Sequence, residues 1–97
     1  MEIKETAVAG TLESSDIQIM ITKADQGISI ELESDVAKQF GQQIKKVITD
    51  TLKQLDIDAA HVKAVDKGAL DCVIKARTIA AAQRATKTVD TPAWEVL

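Results

Sequence analysis

Aromatic residues are almost missing from this sequence, which has one Phe, one Trp and no Tyr, together 2% of its 97 residues. Hydrophobic residues nevertheless make up 45%, so the core must be built from aliphatic side chains. A chain of this length can form one domain with one modest core, but it is too short for a deep catalytic cleft closed by a lid. An aliphatic core also offers no aromatic platform for stacking.

Excess positive charge and long apolar runs are missing as well. Twelve basic residues stand against fifteen acidic ones, for a net charge of -3, whereas binding to a phosphate backbone needs a clustered positive field. No apolar run approaches the roughly 18 residues of a membrane span, and the N-terminus lacks the apolar region of a signal peptide. We therefore expect a cytoplasmic protein that binds neither nucleic acid nor membrane.

Cysteine and histidine occur once each, as Cys72 and His61. A single cysteine excludes an internal disulfide, and one Cys with one His cannot supply the ligands of a zinc site, so we expect no metal. A catalytic Cys–His dyad is disfavoured because no orienting partner is predicted. The expectation is a surface histidine and a cysteine packed as a small hydrophobe.

Two acidic pairs, Glu31 with Glu33 and Glu13 with Asp16, resemble the couples that serve general acid–base catalysis. Such catalysis needs a cleft that raises one of the two pKa values, and no cleft is predicted. We expect exposed charges on a strand and a turn, and therefore a chain that is not itself an enzyme.

Apolar residues alternate with polar ones over residues 17–22 and 28–33, the period of a half-buried strand. A turn at 24–27 predicts that these two strands form an antiparallel hairpin. Residues 3–11 predict a weak strand that ends at Gly10, and residues 59–66 predict a further main strand.

Apolar residues recur at spacings of three and four over residues 35–55, which predicts an amphipathic helix. Its apolar stripe consists of Val36, Phe40, Ile44, Val47, Ile48, Leu52 and Leu55. Phe40 is expected in the core. A second helix is predicted over about residues 70–87, although residues 69–75 are also compatible with a strand that pairs with 59–66.

These elements predict the α+β class: a small single domain in which two helices pack on one face of a mostly antiparallel sheet. The domain is expected to span residues 1–87, followed by a C-terminal tail over 88–97. The tail holds Trp94, and two alternatives stay open: it docks on the domain or a partner, or it is disordered.

Residues 11–16, with Ser14 and Ser15 side by side, form a short polar stretch of the kind that usually makes a simple turn. However, residues 9–16, Ala-Gly-Thr-Leu-Glu-Ser-Ser-Asp, resemble the N-terminal signature of citrate lyase acyl carrier proteins. Residues 38–41 (Lys-Gln-Phe-Gly) and 66–72 (Asp-Lys-Gly-Ala-Leu-Asp-Cys) extend the resemblance. Three ordered matches are more specific than one.

The resemblance implies that Ser14 carries phosphoribosyl-dephospho-coenzyme A through a phosphodiester, placed there by a prosthetic-group transferase. It gives Ser15 no such role. It also implies a hetero-oligomer in which the chain shuttles acetyl and citryl thioesters between the alpha and beta subunits while citrate is cleaved to acetate and oxaloacetate. The alternatives are an unmodified interaction or assembly subunit, and an acyl carrier of the malonate decarboxylase type.

Overall fold

The structure is a computed structural model that describes residues 3–34 and 37–86. Its elements are β1 (Ala7–Ala9), β2 (Ile17–Thr22), β3 (Gly27–Ser34), α1 (Ala37–Gln54), β4 (Ala59–Asp66) and α2 (Asp71–Thr86). The predicted strands and helices are all present. Residues 71–75 belong to α2, so the alternative in which they form a strand is wrong.

The strands form one sheet in the order β1-β2-β4-β3. β1 pairs antiparallel with β2, and β2 pairs antiparallel with β4, whereas β3 runs parallel to β4. The predicted hairpin of β2 and β3 is therefore wrong, because β4 lies between them. Two parallel neighbours need a crossover connection, and α1 provides it.

One face of the sheet is apolar, and both helices contact the sheet and each other, in agreement with the predicted α+β architecture. Cross-strand register builds this face in rows: Ile19 lies beside Ala64, and Ile21 beside Val62, all four fully buried. The opposite face carries Gln18, Met20, His61, Lys63 and Val65, which are exposed or half-buried. The core is thus a single aliphatic layer between sheet and helices.

The apolar stripe of α1 is buried at Ile44, Ile48 and Leu52. Phe40 is 52% exposed, so its predicted place in the core is wrong. Its side chain lines a groove beside the β4–α2 connection. Val36, also predicted for this stripe, lies outside the described residues.

α2 holds the start of the chain and the first strand in place. The carbonyl of Ala85 accepts hydrogen bonds from the backbone N–H groups of Lys4 (2.8 Å) and Glu5 (3.1 Å). Arg84 donates to the carbonyl of Val8 in β1 over 2.6 Å. These bonds fix β1, and with it the beginning of the loop that leads to β2.

The predicted tail over 88–97, with Trp94, lies outside the described residues, so the division of the chain after residue 87 stays a prediction. Within the described residues, no helix is long and apolar enough to cross a membrane.

Candidate functional site

Ser14 lies in the loop between β1 and β2, residues 10–16, which we call the serine loop. The N–H of Asp16 donates to the carbonyl of Glu13 over 3.2 Å, closing a turn with Ser14 and Ser15 as its central residues. Both serines are exposed, and Ser15 has a positive φ of 66°. Among the described residues, no hydrogen bond occupies the hydroxyl of Ser14.

The carboxylate of Asp16 organises the serine loop. Its Oδ2 accepts from the backbone N–H of Thr11 at 3.1 Å and from the Thr11 hydroxyl at 2.7 Å. Its Oδ1 accepts from the N–H of Ile17 at 2.7 Å. The Thr11 hydroxyl in turn accepts from the N–H of Glu13 at 3.2 Å, so one carboxylate fixes both ends of the loop around the turn.

Arg77 ties this carboxylate to α2. Its Nε donates to Asp16 Oδ1 at 3.0 Å and its terminal nitrogen Nη2 donates to Oδ2 at 3.2 Å, the two-pronged geometry that makes Arg–carboxylate pairs specific. Bonds from Arg77 first, and from the Thr11 hydroxyl second, hold the pKa of the Asp16 carboxyl well below its ordinary value, against the opposing effect of burial. Asp16 therefore stays ionised wherever the protein is folded near neutral pH.

Backbone bonds clamp the loop to the β4–α2 connection. The N–H of Ser15 donates to the carbonyl of Lys67 at 2.8 Å, and the N–H of Lys67 donates to the carbonyl of Asp16 at 2.9 Å. At the other end, Gly10 has φ +91°, and a Cβ there would collide with the backbone carbonyl of Ile17. The turn that presents Ser14 is thus held by α2, by the β4–α2 connection and by a close backbone approach.

The turn predicted over residues 11–16 is confirmed, with Ser14 and Ser15 as its central pair. The rule that neighbours in an extended segment point to opposite sides therefore does not distinguish the two serines. Asp16, expected exposed, is buried at 9% exposure, and neither Arg77 nor the Lys67 backbone was singled out. The only available signal was the turn-favouring Asp at the end of the loop, since nothing in the sequence pairs it with an arginine 61 residues later.

A groove of about 420 Å³ opens beside the same connection. The described residues that line it are Phe40, Gln43, Ile44, Asp66, Gly68, Ala69, Leu70, Asp71 and Ile74. Phe40 and Leu70 are exposed by 52% and 70%, which makes the groove an apolar surface open to a ligand.

The other chemically active residues do not gather into a site. His61 lies on the open face of the sheet, with Nε2 3.9 Å from Oε1 of Glu31, whereas Cys72 starts α2 on the opposite face. His61 and Cys72 therefore do not form a dyad with each other, and Cys72 is exposed, not packed as predicted. Within residues 3–34 and 37–86, no three His, Cys, Asp or Glu residues group closely enough to hold a metal ion.

Comparison with known proteins decides the family. The profile of the malonate decarboxylase delta subunit, an acyl carrier protein family, matches residues 4–85. The citrate lyase acyl carrier protein of Lactiplantibacillus plantarum is 76% identical over 97 residues, and each chain is covered completely. The chain belongs to the citrate lyase acyl carrier protein family. Proteins of the same name from Lactobacillus acidophilus and Oenococcus oeni are 70% and 66% identical, again over both full lengths.

Solved structures agree with this family at the level of the fold. A chain of a Pseudomonas malonate decarboxylase hetero-tetramer in complex with malonate superposes with a TM-score of 0.66 at 15% identity, over 88% of this chain and 92% of that one. A homoserine kinase from Cytophaga hutchinsonii superposes with a TM-score of 0.58 at 12% identity, over 91% of this chain but only 36% of the kinase. The same arrangement of strands and helices thus recurs within a larger enzyme.

Proposed function

We propose that the chain is the acyl carrier subunit of a citrate lyase complex and that Ser14 is the point at which its prosthetic group is attached. One observation carries the proposal: the exposed hydroxyl of Ser14 stands on a turn fixed from three sides, in a chain whose full length matches citrate lyase acyl carrier proteins. A transferase must reach that hydroxyl, and a rigid presentation of it serves recognition.

The residues present suit phosphoribosyl-dephospho-coenzyme A as the attached group. The side chains of Asp16 and Arg77 bind each other, and the backbone of Lys67 binds the backbone of the loop. The Ser14 hydroxyl has no hydrogen-bond partner among the described residues. Because none of these bonds involves the Ser14 hydroxyl, replacing its proton with a phosphodiester breaks none of them. When bound, the group supplies a terminal thiol, which is where the acyl chemistry takes place.

The chain's own contribution is to hold the prosthetic arm and to orient its attachment point. Its fixed loop anchors one end of the arm, which raises the concentration of the acyl group at any active site within reach of the tether. The proposed partners are the alpha and beta subunits of citrate lyase and the prosthetic-group transferase, so the working state is a hetero-oligomer in the cytoplasm. Catalysis is assigned to the partners, because the relatives that match this chain over their full length are named acyl carrier proteins.

A malonate decarboxylase carrier is the second candidate, since the family profile carries that description. Identity favours citrate lyase: relatives at 59–76% identity over both full lengths carry its name, whereas the malonate decarboxylase chain matches at 15%. An unmodified assembly subunit would need no exposed, fixed serine.

Intact mass tests the proposal on protein produced together with the transferase and the enzymes that make its substrate. The wild type should gain the mass of one prosthetic group, Ser14→Ala should gain none, and Ser15→Ala should still gain it. Ser15→Ala is the matched control, because it removes the neighbouring hydroxyl from the same turn. Incorporation that survives Ser14→Ala would contradict the assignment, and a wild type that gains no mass would favour the unmodified subunit.

A further inference from the structure

The groove beside the serine loop has an unusual combination of features for a domain with so few aromatic residues. Phe40, the only Phe in the sequence, is half exposed and lines the groove together with the exposed Leu70, while Ile44 and Ile74 supply its buried part at 3% and 1% exposure. An exposed ring over an aliphatic floor is a surface that a flat, uncharged ligand can cover.

Its place in the fold brings the groove close to Ser14. Lys67 exchanges two backbone hydrogen bonds with Ser15 and Asp16, and the groove-lining residues Gly68–Leu70 follow it directly. Because a residue spans at most about 3.6 Å, Leu70 lies within roughly 11 Å of Lys67, which itself contacts the turn. Any group attached to Ser14 through a phosphate and a ribose therefore begins within reach of the groove.

The charge of the lining restricts the kind of ligand that the groove can bind. Asp66 and Asp71 supply two carboxylates, and no Lys or Arg is among the described residues of the lining, so phosphates and carboxylates are disfavoured there. Asp66 is already occupied, since its oxygens accept from the Ser34 hydroxyl (2.9 Å) and the Ala69 N–H (3.0 Å). Asp71 accepts from the side-chain amide of Gln43 through Oδ2 at 2.9 Å, and this exposed pair borders the groove with acceptor oxygens.

On the basis of the proposed attachment at Ser14, we propose that this groove binds the adenine ring of the attached dephospho-coenzyme A moiety. The face of the adenine ring stacks on the ring of Phe40 and packs against Leu70. Its exocyclic amino group donates to the acceptors of the Gln43–Asp71 pair. Adenine is the part of the arm that fits, because it is flat, uncharged and carries N–H donors, whereas the diphosphate is repelled by the lining. The first portion of the arm is then fixed on the carrier, and only the portion beyond the diphosphate moves freely.

Filtered nuclear Overhauser spectroscopy on the loaded carrier tests this directly. Isotope-labelled apo protein is modified in vitro with an unlabelled prosthetic group, and intact mass confirms one group on Ser14 before the spectra are recorded. We expect cross-peaks from the adenine ring protons to the Phe40 ring, and shifts of the amide signals of residues 68–71 relative to the apo form. Cross-peaks from the pantetheine portion alone, or none to Phe40, would overturn the proposal.

Three variants separate stacking from general hydrophobicity. Phe40→Leu keeps an apolar side chain but removes the ring face, so the adenine-dependent shifts at residues 68–71 should be lost. Leu70→Ser should weaken them, and Val8→Ser, 41% exposed and outside both the groove and the serine loop, should leave them unchanged. Shifts that persist in Phe40→Leu, or that depend on protein concentration because a second copy fills the groove, would contradict the inference. A missing mass increment would instead refute the attachment on which it rests.

Discussion

Asp16 and Arg77 lie 61 residues apart in the sequence and form a two-pronged ion pair beneath the serine loop. The pair joins the loop to α2, the helix that also holds β1 through Arg84 and Val8. α2 therefore holds both the strand that enters the loop and the residue that ends it. The position of Ser14 depends on this long-range contact and not on the turn sequence alone.

Asp16→Asn should lower the free energy of unfolding at neutral pH by about 1–3 kcal/mol, because the charged acceptor of several hydrogen bonds is lost. Urea unfolding measures this change. Asp50→Asn is the matched control: Asp50 forms an exposed ion pair with Lys46 at 2.8 Å, and its loss should have little effect. Equal effects of the two variants would show that the Asp16 network does not stabilise the fold.

The same pair predicts a pH dependence. The pKa of Asp16 in the folded protein lies below its unfolded value of about 3.9, so its contribution to stability is present above that pH and is lost as the pH falls. Between about pH 5 and pH 2 the wild type should lose more stability than Asp16→Asn. Parallel unfolding curves for the two proteins over this range would contradict the assignment.

Gly10→Ala should destabilise the protein by about 2–4 kcal/mol, because the new Cβ meets the carbonyl of Ile17 in addition to the unfavourable positive φ. Gly68→Ala is the control, since Gly68 has nearly the same φ, +90°, but no described residue beyond its chain neighbours has an atom within 4 Å of the added Cβ. It should cost only the conformational strain, about 1–2 kcal/mol. Thermal unfolding of both variants measures the difference, and a Gly10→Ala protein as stable as Gly68→Ala would contradict the close approach.

Ile48→Ala should cost about 2–5 kcal/mol, because Ile48 is fully buried in the aliphatic layer under α1. Phe40→Ala should cost far less, since half of its ring is already exposed to water. Denaturant unfolding compares the two. A larger loss for Phe40→Ala would mean that the ring belongs to the core after all.

Local patterns were sufficient to predict the elements of this fold. The alternation over residues 17–22 and 59–66 corresponds to β2 and β4, and the three- and four-residue spacing of Ile44, Ile48 and Leu52 marks the buried face of α1. The pairing of β2 with β3 was mispredicted, because alternation shows which side of a strand is buried but not which strand is its neighbour. The short link between β2 and β3 favours a hairpin, yet β4 pairs with both strands and lies between them.

The candidate site, too, could be predicted only in part from the sequence. Resemblance pointed to Ser14, and the structure shows its hydroxyl exposed, but the residues that fix its loop come from α2 and from the β4–α2 connection. Contacts of this kind depend on tertiary packing, which no local pattern encodes. Phe40 was misassigned for the same reason: the helical period is correct, but this side chain lines the groove and is half exposed.

Fragmentation of the modified wild-type protein tests the central claim most directly, since it needs no substitution and therefore no assumption about folding. Protein produced with the transferase is digested, and the peptide that contains residues 9–16 is sequenced by tandem mass spectrometry under conditions that keep the phosphodiester. The account predicts fragment ions that place the whole added mass on Ser14 and leave Ser15 unmodified. Fragment ions that place the mass on Ser15, or on any residue outside the serine loop, would contradict it.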